Sequence, residues 1–302
     1  MSSSTSEKRE SELVKVFENI GSIVGAEVML NGSRRISEKL VVRMLDQIGL
    51  TKETTTPFKL FDNACGIGST NFEIHRRIRP DILEQSSILL GDFAGGLIPL
   101  TEAVAKKEGW VNTVVKRVDG QSTGLASVEF THVTTNIGFQ VIPDSKAALD
   151  EAVRILKPGG HLAFTTWERI PGWALEVQNA FAKFPFDAPF SFSVQTTKYG
   201  EWGNINWIRH ELAHRLELED VQVEVFAFTS HVDSVDYFMN TFGPMVDWVV
   251  KSNWSEELQA QHGREEYRGL LKDYLVGRYG GGGWDLSWVG IVASGRVASS
   301  AS

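Results

Sequence analysis

The sequence predicts an α/β protein with a doubly wound, mostly parallel sheet, and three observations support this fold class. Short apolar runs with the pattern of strands alternate with amphipathic, helix-like stretches between residues 60 and 166. A glycine-rich turn follows the first apolar run, and acidic residues end two of the later runs. Strands and helices that alternate along a chain are typical of a parallel sheet with helices on both faces.

The first strand leads into a segment with the sequence Asp62-Asn-Ala-Cys-Gly-Ile-Gly-Ser69. Small residues at 64, 66 and 68 allow the backbone to turn sharply and to approach a ligand, and the following helix would offer free N–H groups. The third glycine of a dinucleotide fingerprint is missing, and Asp62 comes four residues before the first glycine. The turn therefore predicts a nucleotide-like cofactor that carries a positively charged group.

The elements after this turn keep the alternation. Helices are predicted over 70–79, 97–108 and about 145–156, and strands over 87–92, 111–118, 128–135 and 161–166. The second strand ends in Asp92, where a carboxylate can accept both hydroxyls of a ribose, because ligands of doubly wound sheets lie outside the carboxyl ends of the strands. Asp92 alone is equally compatible with a turn or a helix cap before Phe93.

The C-terminal part adds three helices and two strands. The predicted helices cover 208–216, 234–251 and 255–277, and the predicted strands cover 221–228 and 287–294. The strand over 221–228 has a clear period of two residues, which indicates a half-buried strand. The sheet is therefore expected to have seven strands.

Composition limits the partners and the location. The chain has 302 residues and a formal net charge of −8, which argues against a nucleic-acid partner. The sequence has no apolar run long enough for a membrane span and no apolar signal segment, so we expect a cytoplasmic protein without a membrane partner. The histidines lack the spacing of metal ligands, and no metal site is predicted.

With these residues in place, the core resembles the class I S-adenosylmethionine-dependent methyltransferases. The matching pieces, in order, are Asp62-x-Ala-Cys-Gly-x-Gly, Asp92, Asp119-Gly120, Phe139-x-x-x-Pro-Asp144 and Arg154-Ile-Leu-Lys-Pro-Gly-Gly160, which cover about residues 58–167. The stretches 62–68, 108–112, 131–133 and 138–140 resemble fungal secondary-metabolite methyltransferases, especially the gliotoxin thiol methyltransferase type. The sequence departs from the family at Ala64, where a glycine is usual.

The resemblance implies a Rossmann-like sheet of seven strands, mostly parallel with an antiparallel last strand, together with a helical N-terminal lid and an inserted helical cap. The expected division is a disordered tail at 1–10, a lid at 11–55, a cofactor-binding core at 56–167, an aromatic-rich insertion at 168–218, the rest of the core with a helical insertion at 219–295, and a disordered tail at 296–302.

S-Adenosylmethionine carries an ammonium, a carboxylate, a sulfonium, a ribose and an adenine, so its site needs a partner for each group. Asp92 is expected to hold the ribose, and Phe93 can lie on the adenine face. The methionine end is assigned to Asp62, Ala64, Cys65, Gly66 and Gly68, the adenine edge to Asp119, Gly120 and Gln121, and the vicinity of the transferred methyl group to Thr135 and Asn136. Cys65 is interpreted as a small packed residue, not a nucleophile. Thr135 and Asn136 could instead be an ordinary polar strand end.

Two regions are expected to determine the acceptor. The insertion at 168–218 is dense in aromatic residues, which predicts a wall around an apolar, aromatic small molecule, with Trp167 and Trp173 as contacts. These rings could instead form the core of a small subdomain. In the lid, Phe17 and Met29 are further candidates for substrate contact.

The predicted function is methyl transfer from S-adenosylmethionine to an O, S, N or carbon atom of a small secondary metabolite. No catalytic base is identified, and the sequence carries no trace of an oligomeric state. Two other functions remain open at this point, because a fold does not determine a function. They are a cyclase or pericyclase built on a methyltransferase fold, and a cofactor-binding regulator of secondary metabolism.

Overall fold

The computed structural model describes residues 26–299, with the side chains of 26–31 and of residue 33 left out. The described strands are β1 (Lys59–Asn63), β2 (Ser87–Asp92), β3 (Thr113–Arg117), β4 (Phe130–Asn136), β5 (Leu156–Trp167), β6 (Glu219–Val232) and β7 (Trp284–Arg296). They form one sheet in the order β3-β2-β1-β4-β5-β7-β6. Strands β1 to β5 pair in parallel, and β7 is antiparallel to both of its neighbours, β5 and β6. The predicted fold class is therefore confirmed.

Helices surround this sheet. They are α1 (Ala26–Gln47), α2 (Ser69–Arg77), α3 (Pro80–Leu83), α4 (Ile98–Glu108), α5 (Ser145–Arg154), α6 (Gly172–Phe181), α7 (Ile205–His210), α8 (Val235–Asn253), α9 (Glu256–Gln261) and α10 (Arg264–Tyr279), and a short π-helix covers Glu211–Arg215. The single helix expected over 255–277 is two helices, because the chain is extended at Gly263. Among residues 26–299, none of the helices is both long and apolar enough to cross a membrane.

Successive residues of the central strands point to opposite faces of the sheet and belong to two separate apolar clusters. In β1, Leu60 joins the cluster that contains α1, α6 and α8, whereas Phe61 joins the cluster that contains α5 and α7. The same alternation separates Ala163 from Phe164 in β5. Both faces of the sheet are therefore buried, as a doubly wound fold requires.

The start of β5, at residues 157–160, is irregular. These residues belong to the strand, and its pairing with β4 shifts in register between Phe130 and His132. Gly159 has a φ of +78°, and its N–H donates to the carbonyl of Val297. The glycines therefore form an irregular beginning of a strand, held by the chain that leaves β7.

Most aromatic rings of the insertion at 168–218 pack in the protein core. Trp202 is fully buried and stacks on Phe139 with ring centroids 5.3 Å apart. Phe181 contacts Phe184 and Trp254 with centroid distances of 5.0 and 5.5 Å. The subdomain-core alternative therefore accounts for these rings, and few aromatic residues of the insertion are left to contact a ligand.

A partly buried histidine pair on β4 and β5 predicts a loss of stability in mild acid. The rings of His132 and His161 stack at 5.5 Å, and burial together with the neighbouring His161 lowers the pKa of His132 to about 4. The unfolded chain binds this proton near pH 6.5, so protonation favours unfolding as the pH falls from 6.5 towards 4. Urea titrations at pH 7 and pH 4.5 measure how much the free energy of unfolding falls between these two pH values. We expect this fall to be smaller in His132→Gln than in the parent, by on the order of 2 kcal/mol. His231→Gln, at a side chain that is 58% exposed, is the control and should follow the parent curve.

Candidate active site

A cavity of about 460 Å³ runs along the carboxyl ends of the parallel strands. Its walls come from the turns after β1, β2, β3 and β4, from the last residue of β5, and from α1, α6, α8 and β7. This edge is where doubly wound sheets bind ligands. The cavity is the candidate active site.

The turn after β1 is left-handed at three of its residues. Ala64, Gly66 and Gly68 have φ angles of +53°, +54° and +86°. Left-handed backbone at a residue with a side chain costs of order 1–3 kcal/mol, so Ala64 stores strain at the cavity wall. Its methyl group has room because Gly138, on the opposite side, has no side chain: a Cβ there would lie 3.0 Å from the Ala64 Cβ.

Gly68 is required by its contact with Trp110 as well as by its backbone. A Cβ at Gly68 would lie 2.6 Å from the Trp110 ring, whereas nothing lies within 4 Å of a Cβ at Gly109, which is also left-handed at +66°. We expect Gly68→Ala to destabilise the protein by about 1–3 kcal/mol from the backbone alone, with the ring clash added. Gly109→Ala, measured by the same urea titration, should show the backbone cost only. Equal losses in the two variants would contradict the role of Trp110.

Asp62 lies beneath the cavity and does not line it. The side chain is 1% exposed, and its Oδ1 accepts a hydrogen bond from Thr134 Oγ1 at 2.7 Å. The hydroxyl of Thr70 lies near this carboxylate and opposes the shift of its pKa, but Oδ2 has no hydrogen-bond partner of normal geometry among the described residues. Burial raises the pKa of Asp62 to about 7. Asp62 can therefore act on a ligand through its charge or through a bridging water, and a cation nearby would stabilise the ionised form.

Asp92 connects the turns after β1 and β2. Its Oδ2 accepts the N–H of Gly66 at 2.8 Å, and its Oδ1 accepts the N–H of Ala94 at 2.9 Å. Burial raises the pKa of Asp92, and these two N–H groups oppose that shift. An ionised carboxylate has about four lone-pair sites, so both oxygens can accept a further bond from a ligand.

The cavity end near β2 and β3 has polar groups and a ring. Asp119 Oδ1 accepts the backbone N–H and the side-chain amide of Gln121, each at 2.9 Å. Phe93 is 44% exposed, and the Arg117 guanidinium lies 5.2 Å from its ring centroid. A Cβ at Gly120 would lie 2.4 Å from Asn63 Oδ1, so glycine permits this close approach. The ring and the acid can serve an adenine.

The middle of the cavity is formed where β4 ends. Asn136 Oδ1 accepts a hydrogen bond from Thr165 Oγ1 at 2.7 Å, and Ile137 follows with a φ of +55°. Thr135 is fully buried and does not line the cavity, and its hydroxyl lacks a partner in the part of the chain that the structure describes. The left-handed Ile137 and Ala64 therefore lie on adjacent strand ends, which places two strained residues at one point of the wall.

The opposite end of the cavity is apolar. Trp167, at the end of β5, and Trp288, in β7, have ring centroids 5.3 Å apart, and Trp173 of α6 stacks on Phe242 of α8 at 6.0 Å. Gln140 Oε1 accepts the N–H of Trp167 at 2.9 Å and so holds the end of β5 in place. This end can surround a flat apolar ring.

The structure brings most of the sequence-predicted residues to one cavity. Ten of them line the cavity, namely Ala64, Gly66, Asp92, Phe93, Asp119, Gly120, Gln121, Asn136, Trp167 and Trp173. Four others lie behind the wall, namely Asp62, Cys65, Gly68 and Thr135. Cys65 is buried, and burial raises the pKa of its thiol well above the usual value. Phe17 and the side chain of Met29 lie outside the described residues.

Sequence reasoning missed the contribution of two C-terminal elements. Helix α8 lines the cavity with Thr241, Phe242 and Met245, and β7 lines it with Trp288. The period-two pattern around Trp288 could have marked one face of β7, but no sequence signal linked that face to the end of β5. From α1, Gly32, Ile36 and Ser37 complete the wall.

The residues fit S-adenosylmethionine in three respects. The unpartnered Oδ2 of Asp62 suits a nearby cation, Asp92 can accept from a diol, and Phe93 with Asp119 suits an adenine. Gly66, Gly120 and Gly138 line the cavity with main-chain atoms alone, so a ligand could approach the backbone there. Within residues 26–299, His, Cys, Asp and Glu do not gather in any group of three or more that could hold a metal ion.

Comparison with known proteins agrees with this assignment. The model of the ubiE/COQ5 methyltransferase family matches residues 7–200. Methyltransferase tpcH of Aspergillus fumigatus is 30% identical over 87% of this chain and 93% of its own length, and the acetylaranotin bis-thiomethyltransferase of Aspergillus terreus is 26% identical over 78% of this chain and 81% of its own length. The YcgJ protein of Bacillus subtilis shares the fold with a TM-score of 0.53 and 10% identity, over 86% of this chain and 99% of that one. The chain therefore belongs to the ubiE/COQ5 methyltransferase family and is an S-adenosylmethionine-dependent methyltransferase.

Proposed function

We propose that this enzyme methylates a small, uncharged, mainly apolar aromatic acceptor of secondary metabolism. The observation that carries the proposal is that one cavity joins a polar end at β2 and β3 to an end walled by indole rings. The first end supplies partners for a nucleoside, and the second supplies apolar area for a flat ring. A cytoplasmic location is part of the same proposal.

On the cofactor side, each predicted residue has an assigned partner. Asp62 and the backbone from Ala64 to Gly68 would hold the methionine end, and Asp92 would accept the ribose hydroxyls. Phe93 would cover the adenine, Asp119 would accept from its amino group, and the backbone at Gly120 and Gln121 would face its ring nitrogens. Thr135 and Asn136 would lie beside the methyl group. The buried Oδ2 of Asp62 and the place of Asn136 in the cavity wall support this order along the sheet.

The chain contributes positioning and exclusion of water. When bound, S-adenosylmethionine supplies an electrophilic methyl group on its sulfonium. Alignment of two reacting atoms in a dry cavity can supply much of the rate increase. Among the described lining residues, the only ionisable side chains are Asp92 and Asp119, at the opposite end from Trp167. We therefore assign no catalytic base among the described residues, and an acceptor proton passes to water when the product leaves the cavity.

The acceptor side combines two regions of the chain. Trp167 and Trp173 would contact the acceptor ring, and the lid, proposed to cover residues 11–55, would close over it, with Phe17 and Met29 as further contacts. Helix α1 supports this arrangement, because Ile36 lines the cavity while Leu40 and Met44 are buried in the core. The name of the acetylaranotin bis-thiomethyltransferase supports sulfur as one acceptor atom among O, S, N and C.

Calorimetry and mass spectrometry test the proposal together. We expect S-adenosylmethionine and S-adenosylhomocysteine to bind, and a panel of aromatic thiols, phenols and indoles to include members that gain the mass of one methylene group. A second panel contains aromatic compounds of similar size that carry a permanent charge, either a carboxylate or a charged amine. These compounds should remain unmethylated. Methylation confined to the charged panel would contradict the assignment of an uncharged acceptor.

A further inference from the structure

The side-chain amide of Asn136 has its orientation fixed by Thr165. Thr165 Oγ1 accepts the backbone N–H of Ile137 at 3.0 Å and lies 2.7 Å from Asn136 Oδ1. Thr165 is fully buried, and its hydroxyl has a single proton, which Asn136 Oδ1 accepts. If the amide were reversed, that proton would have no acceptor among these atoms, and a buried donor would be left unsatisfied. The amide oxygen therefore faces Thr165, and the amide nitrogen faces away from it.

The amide nitrogen of Asn136 is an accessible hydrogen-bond donor at the cavity wall. Its two N–H groups have no acceptor in the part of the chain that the structure describes, and protein atoms do not enclose the nitrogen. Asn136 is half-buried and lines the cavity, whereas the neighbouring Thr135 is fully buried and does not. A ligand in the cavity can therefore reach this nitrogen, although it cannot reach the hydroxyl of Thr135.

The backbone directly after Asn136 is strained. Ile137 has a φ of +55°, and the left-handed conformation is an outlier for a β-branched residue. Its N–H donates to both the carbonyl oxygen and the Oγ1 of Thr165, each at 3.0 Å. Such strain persists only where the surrounding structure enforces it, and strained residues cluster at active sites. The same threonine therefore holds the strained backbone and the amide in one arrangement.

Asn136 lies between the two ends of the cavity. It ends β4, the strand between β1 and β5, so each neighbouring strand is about 4.8 Å away. On one side Asn136 pairs with Thr165 of β5, two residues before Trp167, and on the other side the turn at Ala64 follows β1. A methyl group that passes from a cofactor at the turn after β1 to a ring beside Trp167 must cross the end of β4. The amide is therefore placed where the methyl group and the acceptor atom meet.

We propose that the amide nitrogen of Asn136 is a catalytic hydrogen-bond donor, which binds the nucleophilic atom of the acceptor and selects the ionised form of that atom. A hydrogen bond to the charged form of an acid lowers its pKa, and a bond to an ionised atom is stronger than one between neutral groups. In its fixed orientation the amide offers the cavity donors only, so it cannot accept the N–H of an amine. The inference rests on the proposed function, because it assigns how the acceptor is activated in the same cavity without a base.

The proton and the charges balance in the reaction that this donor supports. The acceptor gives its proton to water as it enters the cavity, so only an acceptor that binds with its proton releases it with the product. In the transfer, a bond forms between the acceptor atom and the methyl carbon, the bond from that carbon to the sulfonium sulfur breaks, and its electron pair stays on sulfur. One negative and one positive charge disappear. The neutral product no longer attracts the amide as strongly as the anion did.

The test measures the pKa of a bound probe from its colour. The ionised forms of 4-nitrophenol and 4-nitrothiophenol absorb visible light more strongly than the neutral forms, so a pH titration of the complex gives the pKa of the probe in the cavity. The protein is saturated with S-adenosylhomocysteine, which has no methyl group to donate and whose dissociation constant is measured first. We expect the pKa of each probe to be lower in the parent complex than in the complex of Asn136→Leu by about one to two units, which corresponds to one hydrogen bond to a charged group.

Two substitutions of Asn136 separate the donor from the shape and the packing of the side chain. Asn136→Leu keeps the branched shape and removes the donor. Asn136→Asp keeps an oxygen for the Thr165 hydroxyl but turns a carboxylate oxygen towards the probe, so it should raise the pKa of the probe above the value in Asn136→Leu. Asn206→Asp is the matched control, because it adds the same charge at an exposed position of α7 outside the cavity, and it should leave the pKa of the probe as in the parent. Circular dichroism shows whether each variant is folded.

Each outcome decides the inference. A probe pKa that rises in the order parent, Asn136→Leu, Asn136→Asp supports it, and any other order overturns it, as does failure of both probes to bind the parent. Weaker binding of S-adenosylhomocysteine to Asn136→Leu, with an unchanged pKa of the probe, also overturns it and assigns the amide to the cofactor. If Asn136→Leu does not fold because Thr165 loses its acceptor, Asn136→Asp, which keeps that bond, decides between the same outcomes. The proposed function fails separately, if the parent does not bind S-adenosylhomocysteine or methylates no neutral acceptor.

Discussion

Replacing Asp92 with alanine is expected to weaken the binding of S-adenosylhomocysteine by about 10- to 150-fold, as measured by calorimetry at pH 7.5. The range corresponds to the loss of a charge-assisted hydrogen bond, which contributes about 1.5–3 kcal/mol. Asp92 has a second role, because its two oxygens accept the N–H groups of Gly66 and Ala94. Alanine removes the proposed ribose contact and also releases the two turns that form the wall.

A second variant separates these two roles. Asp92→Asn keeps one oxygen that can accept a backbone N–H, but it replaces the other oxygen with a donor and removes the charge. We expect it to retain more thermal stability than Asp92→Ala while losing a similar share of the affinity. The control is Asp285→Ala, on β7, whose carboxylate pairs with His231 and is 63% exposed. An affinity for S-adenosylhomocysteine in Asp92→Ala equal to that of the parent would contradict the ribose assignment.

The polar end of the cavity was predictable because its signals are local. Each acid or glycine stands at the end of a strand, and all parallel strands end at one edge, so Asp92 and Asp119 could be placed together from spacing alone. The sequence could not show that Asp62 lies behind the wall. Its exposure depends on β4, which pairs with β1 through Asp62 and Thr134, and this pairing is a contact between residues far apart in the chain.

The apolar end was only partly predictable. Trp167 was identified because it lies at the end of a predicted strand, but the ring that it contacts is Trp288 of β7, more than one hundred residues later in the sequence. Strand β7 enters the sheet between β5 and β6, and a single sequence does not specify such an insertion. The density of rings at 168–218 predicted a ligand wall, yet rings such as Trp202 pack beneath the sheet. Composition alone cannot separate a lining ring from a core ring.

Asp62 is expected to make the stability of the ligand-free enzyme decrease as the pH rises from about 4 to about 7. Burial raises its pKa from 3.8 to about 7 in the folded protein, so the folded state holds a proton that the unfolded chain releases. A raised carboxyl pKa favours folding at low pH, and this advantage is lost as the pH passes through the folded value. The full effect is on the order of 4 kcal/mol for a shift of about three units.

His132, whose pKa is lowered, acts in the opposite direction over part of this range, so the parent curve alone cannot identify Asp62. Asp62→Asn keeps an oxygen for the Thr134 hydroxyl and cannot ionise. Urea titrations give the free energy of unfolding of the parent and of Asp62→Asn at each pH. We expect the difference between these two values to fall steadily from pH 4 to pH 7.5. The contribution of His132 is the same in both proteins, so it cancels in the difference. A difference that is independent of pH would show that Asp62 stays ionised in the folded protein.

The same carboxyl group links cofactor binding to proton release. A ligand ammonium close to Asp62 favours its ionised form, so binding at pH 5.5 should release close to one proton, and binding at pH 8.5 should release almost none. Calorimetry of S-adenosylhomocysteine in buffers with different ionisation enthalpies measures this number directly. Asp62→Asn should abolish the release at pH 5.5, whereas Asp285→Asn should preserve it. Because the unpartnered Oδ2 is buried under the turn at Ala64, a proton count of zero in the parent would place the ammonium elsewhere in the cavity.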